Sequence, residues 1–259
     1  MSRFFKLAWL DFKGKRSAFS LEEFLLLETA YPFLTMVFYC VLAMYSFNTT
    51  NLSHWVVGNS MLLCINTCIY SLGSSFTEER YYGRIRTIIA SPSNKLMVIF
   101  QKSFFSCIVS IITVMIGFLL GCLCFGVKLN NIFIAGLALD FIVAMISATG
   151  FGMFLASFGL ITDQMNFVLN TVGNLMMILC GANFPITQLP IIVRYVSYAF
   201  PLTACIQSAD MIFAGEEFIE YCPLLIFELF IGILYFVLSY FMVECAEKKA
   251  IENATIDLF

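Results

Sequence analysis

No charged residue interrupts the chain between Lys102 and Lys128. A run of that length has few stable homes. Water would leave its side chains wet, whereas a bilayer accepts it as a helix, which satisfies every backbone N–H and C=O within one segment. The apolar residues are continuous and do not alternate, which argues against the strands of a membrane barrel. Six runs approach the ~20 residues that a spanning helix needs, near 29–47, 55–76, 98–125, 132–160, 166–185 and 223–243. At 61% hydrophobic and 12% charged, the 259 residues are too apolar for a soluble domain of this size to bury. The expected fold is an all-α integral membrane protein with six transmembrane helices. No basic tract points to nucleic acid.

Basic residues set the orientation. Of 14, only Lys128 and Arg194 fall in the segments after spans three and five. The rest precede span one, lie around the start of span three, or follow span six, so both termini are expected to be cytoplasmic. Residues 1–22 stand apart from the six-span domain at 23–259. Within 3–19, Phe5, Ala8, Trp9 and Phe12 recur at helical spacing among lysines and arginines. That is the pattern of an N-terminal amphipathic interfacial helix; a basic leader without fixed structure is the alternative. The first apolar run is long enough to span, so no cleavable leader is expected. Between spans five and six, Pro185, Pro190 and Pro201 leave apolar pieces too short to cross. Segment 185–222 is expected as re-entrant outer helices rather than as an ordinary external loop.

The cytoplasmic segment 77–96 is the most charged part of the chain's middle. Ile85, Ile88 and Ile89 form one apolar ridge at helical spacing, and Pro92 should end the helix at Ser91. Such a ridge packs on the bilayer surface, on the N-terminal helix or on another protein. The plain alternative is a solvated loop that only enforces topology.

These residues resemble the first cytoplasmic loop of ABC transporter type 2 permeases. The matching residues are Phe76, Glu79-Arg80, Gly83 with Ile85, Ser91-Pro92 and Lys102. A second signature of that family, between spans five and six, resembles Gly181, Phe184-Pro185, Leu189-Pro190 and Pro201-Leu202-Thr203. The likeness covers essentially the whole chain. One departure is Arg84-Ile85-Arg86, where many members carry Thr-Leu-Glu.

The resemblance implies the membrane subunit of an ABC exporter in the bacterial cytoplasmic membrane. Its cargo would be amphipathic or hydrophobic: a drug-like compound, a lipid or a peptide. Glu79, Arg80, Gly83, Arg84, Ile85, Ile88 and Ile89 would form a coupling helix seated in a separate ATP-binding subunit, which would hold the ATP and Mg. Gly181, Phe184, Pro185, Pro190 and Pro201 would form an outer gate. A second permease, a copy or a paralogue, would complete the path as a homodimer or heterodimer. The chain has no G-x-x-x-x-G-K-[ST] phosphate loop, so it is expected to bind no cofactor and to be no enzyme.

Asn166, Asn170 and Asn174, four residues apart, form one polar stripe on span five. Asn59, Asn66 and Tyr70 continue a polar face on span two. Amides in hydrocarbon must be paired or wetted. They line a substrate path, as the resemblance favours, or they only bond helix to helix. Asp140 and Glu228 lie within spans four and six, where a carboxylate is either functional or reaches interfacial water. Gly117-x-x-x-Gly121 is expected to mark close helix packing. Cysteines such as Cys40, Cys64, Cys68, Cys107, Cys122, Cys124 and Cys180 sit in apolar runs and are expected as buried thiols.

Two other functions compete. An ion-coupled carrier or channel would use Asp140 or Glu228. A membrane-embedded protease would need histidine, and His54, the only one, has no acidic neighbour in sequence. Glu78-Glu79 with Arg84 resembles one protease motif, but its spacing is one residue too long.

Overall fold

Helix is the only regular structure that the described residues adopt. The computed structural model describes residues 2–17, 30–48, 51–83, 95–127, 133–160, 162 and 164–252. α1 is Ser2–Ser17 and α2 is Tyr31–Phe47, with a proline in its first turn, where a missing N–H costs least. α3, Ser53–Cys64, runs into a π-helical segment at Ile65–Tyr70. Two short helices follow, α4 at Ser71–Gly73 and α5 at Ser75–Tyr81. α6 is Lys95–Phe125, α7 Ile134–Phe158 and α8 Met165–Leu179. After a single 3₁₀ turn at Ile186–Gln188 come α9, Ile191–Ser197, and α10, Thr203–Ala214. α11, Phe218–Glu252, closes the described chain.

Among the described residues, three stretches are long and apolar enough to cross a membrane: Cys107–Phe125 in α6, Ile134–Phe158 as α7, and Phe218–Cys245 in α11. Within the described residues, the other expected spans coincide with shorter or interrupted helices. Phe33–Phe47 and Met165–Leu179 are apolar but shorter. The 15 residues of α8 reach about 22 Å, against a hydrocarbon layer of about 30 Å. The second expected span is divided, because the π segment inserts a wider turn into the helix. α11 begins at Phe218, so Pro223 lies inside it rather than at its start.

α7 and α11 form the central pair. Small residues let their backbones approach: a Cβ on Gly232 would come within 2.9 Å of the Ser147 Cα. The Ser239 hydroxyl donates to the Met153 carbonyl across the same seam, at 3.0 Å. Gly117 and Gly121 of α6 face Leu63 and Val56, so that glycine pair packs within the bundle, against the second expected span. Hydroxyls inside apolar helices are satisfied locally. Ser60 donates to the Val56 carbonyl and Thr149 to that of Met145, one turn back. Cys40, Cys64, Cys122 and Cys180 are buried free thiols, whereas Cys124 is exposed.

The bundle has two distinct ends. At one, the start of α3 meets the turn after α8, and Gly136 of α7 packs under Tyr221 of α11. At the other, α1 packs on the first turns of α6, and Gly159 abuts Thr77 of α5.

Candidate functional site

The first of these ends is a built cap. Gly181 turns the chain after α8 at φ +84°, and a Cβ there would strike Ile186. Pro185 and Pro190 precede the 3₁₀ turn and α9 as extended residues. The segment expected to be re-entrant is therefore two short helices and a 3₁₀ turn between α8 and α11. Three other helices hold its longer helix, α10, each through one ionisable side chain.

Glu228 of α11 is buried, and its carboxylate accepts from Leu202 N–H at 2.8 Å and Ala204 N–H at 3.1 Å. These are amides at the start of α10, which otherwise lack helical partners. An acceptor is needed there because Leu202 has φ +76° and caps nothing with its own side chain. Thr203 donates to the Ser197 carbonyl at 2.7 Å, tying α10 back to α9. Asp140 of α7 accepts from the Ser208 hydroxyl. Its Oδ2 is buried with no partner among the described residues. His54 of α3 meets Asp210 at 2.7 Å through Nδ1.

Two expectations change here. Asp140 and Glu228 do not reach interfacial water: their exposures are 0% and 1%, because α10 folds over both. His54 has an acidic neighbour after all, one that lies 156 residues away in sequence. Next to it, the Trp55 indole donates to the Asn183 carbonyl at 3.1 Å and pins the turn after α8. Cys180 donates to the Pro201 carbonyl at 3.2 Å. Phe184 is exposed. Trp55, Asp210 and Ser208 were not singled out from sequence; no local pattern marks them.

The polar stripe is divided. Asn166, Asn170 and Asn174 lie on an exposed face of α8, beside its buried Met165, Leu169, Gly173 and Met176. Tyr70 joins them, donating to the Asn170 Oδ1 at 3.0 Å. Asn59 does not: it is buried within α3 and donates to the Trp55 carbonyl one turn back, at 2.9 Å. Asn66 lies in the π segment, and its side chain is not described.

At the opposite end lies α5. The helix ends at Tyr81 and a turn follows to Gly83, whose φ of +68° is a glycine conformation. Glu79 is buried within the chain rather than offered outward. Tyr81 and Tyr82, which sequence reasoning passed over, are exposed and meet edge to face. Arg80 lies on α5, with its side chain not described. Arg84, Ile85, Ile88 and Ile89 lie outside the described residues.

Among the described residues, no group of three His, Cys, Asp or Glu is arranged to hold a metal ion. The chain matches no family model and no curated protein. Among the described residues the fold is all-helical, with three helices long and apolar enough to cross a membrane, which gives the chain membrane-protein character.

Proposed function

We propose that this chain is a six-span permease subunit, related to ABC transporter type 2 permeases, that moves amphipathic or hydrophobic cargo outward. A separate ATP-binding subunit supplies the energy. α1 lies at the inner membrane surface, both termini are cytoplasmic, and a second permease completes the path. The stripe of Asn166, Asn170 and Asn174 then faces that path, with Tyr70 beside it.

The observation that carries this reading is the cap. An external loop needs no buried fastening. Here α10 is fastened by Glu228, Asp140 and His54 from three different helices. The Pro201-Leu202-Thr203 corner, part of the family-like signature, is the point where Glu228 takes hold. A structure fixed so firmly at one end of a bundle suits a gate that opens as a unit.

Purification of the tagged full chain from its native membranes tests the proposal. An ATP-binding subunit should accompany it, and should be lost when Ile85, Ile88 and Ile89 are changed together to Glu. Recovery of the chain without any ATPase, from membranes in which it is active, overturns the proposal.

One observation favours a second reading, an ion-coupled carrier. The buried Asp140 Oδ2 has no partner among the described residues, and an intramembrane carboxylate with spare acceptor capacity suits a coupling ion. Transport driven by an imposed proton or sodium gradient alone, lost in Asp140→Asn, would favour it over the first.

A further inference from the structure

Near the capped end of the α7–α11 seam, two polar atoms are buried with no hydrogen-bond partner among the described residues. One is the Asp140 Oδ2, whose sister oxygen takes the Ser208 hydroxyl. The other is the hydroxyl of Tyr221, a side chain in the first turn of α11 that is only 1% exposed. That hydroxyl lies against Gly136 of α7, one turn before Asp140. A Cβ on residue 136 would strike it, so the glycine makes room for a polar group that gains no bond by being there. Buried polar groups are nearly always bonded, and an orphan pair on two facing helices calls for a water or an ion.

Charge decides between the two. Glu228 and Asp210 both lie within electrostatic reach of Asp140. Glu228 spends its two oxygens on the Leu202 and Ala204 amides. Asp210 has His54, the one ion pair that the described residues form at this end. Asp140 is left with a neutral hydroxyl. A carboxylate buried among other carboxylates is costly unless a positive charge joins it. A water would bond the two orphan oxygens and leave that charge unmet. A bare proton would meet the charge, but the two oxygens do not bond each other, so it would serve only one of them. A cation seated between them serves both. No third His, Cys, Asp or Glu is arranged with them among the described residues, which does not suit a transition metal or calcium. An alkali ion needs no more acid than this, because neutral oxygens can fill the rest of its shell.

We propose that Asp140 and Tyr221 form a site for one alkali cation, sodium or potassium, which ties α11 to α7 beneath the cap. Through Asp140 and Ser208 the same ion steadies α10. This goes beyond both transport readings: the ion is a fastener of the cap, not a driving ion, and it serves with either source of energy.

The test is thermal unfolding of the purified full chain in detergent, in sodium, potassium or N-methylglucammonium chloride at one ionic strength and pH. The midpoint should rise saturably with sodium or potassium and not with the bulky organic cation. The rise should be about 5–10 °C at a hundred times the dissociation constant. Asp140→Asn should abolish it. Tyr221→Phe, which removes only the hydroxyl and keeps the ring, should raise the cation concentration required by about tenfold. If Asp140→Asn fails to fold, Tyr221→Phe decides alone. Equal midpoints in the three salts overturn the proposal, and so does an alkali-cation rise that both variants retain unchanged. A midpoint that follows pH through Asp140 but ignores the alkali cation also overturns it, and assigns a proton to that carboxylate. None of these outcomes touches the permease reading, whose own test is the ATPase that accompanies the chain.

Discussion

Leu202 holds a left-handed backbone that branched side chains rarely adopt, and it is fully buried. What makes that corner tolerable is the Glu228 carboxylate, which serves the N–H groups on both sides of Thr203. Glu228→Leu would leave both donors buried and empty, and should cost about 1–3 kcal/mol for each. Glu228→Gln keeps one acceptor and should cost less. Thermal unfolding of the three proteins in detergent would read the order. Gly58 makes a similar point through space alone: a Cβ there would lie 2.7 Å from the Ala182 Cα. Gly58→Ala should therefore cost about 1–3 kcal/mol in the same measurement, because backbone has to move. Glu228 was conspicuous in sequence as a carboxylate in an apolar run. Its partners were not, because they sit 24 and 26 residues away on a different element.

Among the elements, the long apolar helices were legible because their periods and lengths are local properties. α6, α7 and α11 follow from long apolar runs, each with few charges, bounded by charge or turn residues. Local signals did not reveal the π segment at Ile65–Tyr70, or that α11 starts ahead of Pro223. Both depend on how the helix meets its neighbours. The asparagine spacing on α8 was readable too, but not that Asn59 turns inward to its own helix while Asn170 takes the Tyr70 hydroxyl. Asn170→Leu should abolish cargo movement and leave the chain folded and assembled, as read by transport beside size-exclusion chromatography. Loss of assembly instead would assign the stripe to helix association. The His54–Asp210 contact between α3 and α10 should appear in a double-mutant cycle of the two Ala variants as a coupling of about 0.5–1 kcal/mol. Additive losses would mean that the pair does not fasten the cap.

For the whole molecule, the account needs the two ends of the bundle to lie on opposite sides of a membrane. The cap gathers His54, Asn183, Asp210 and the end of α10; the other end gathers α1, α5 and the start of α6. Basic residues concentrate toward the second group, and the proposed orientation puts that end in the cytoplasm. The expected sidedness rests on counting charges between apolar runs. The cap's fastening was hidden because three carboxylates, from α7, α10 and α11, come together there only when the chain folds. The central claim is that this bundle moves cargo with energy from a nucleotide-hydrolysing partner. Its most direct test follows a fluorescent amphiphile in vesicles holding the full chain together with the ATPase that accompanies it. The account predicts one-way movement that requires ATP and stops when hydrolysis is blocked. Equal movement with ATP withheld, or by the chain alone, would contradict it.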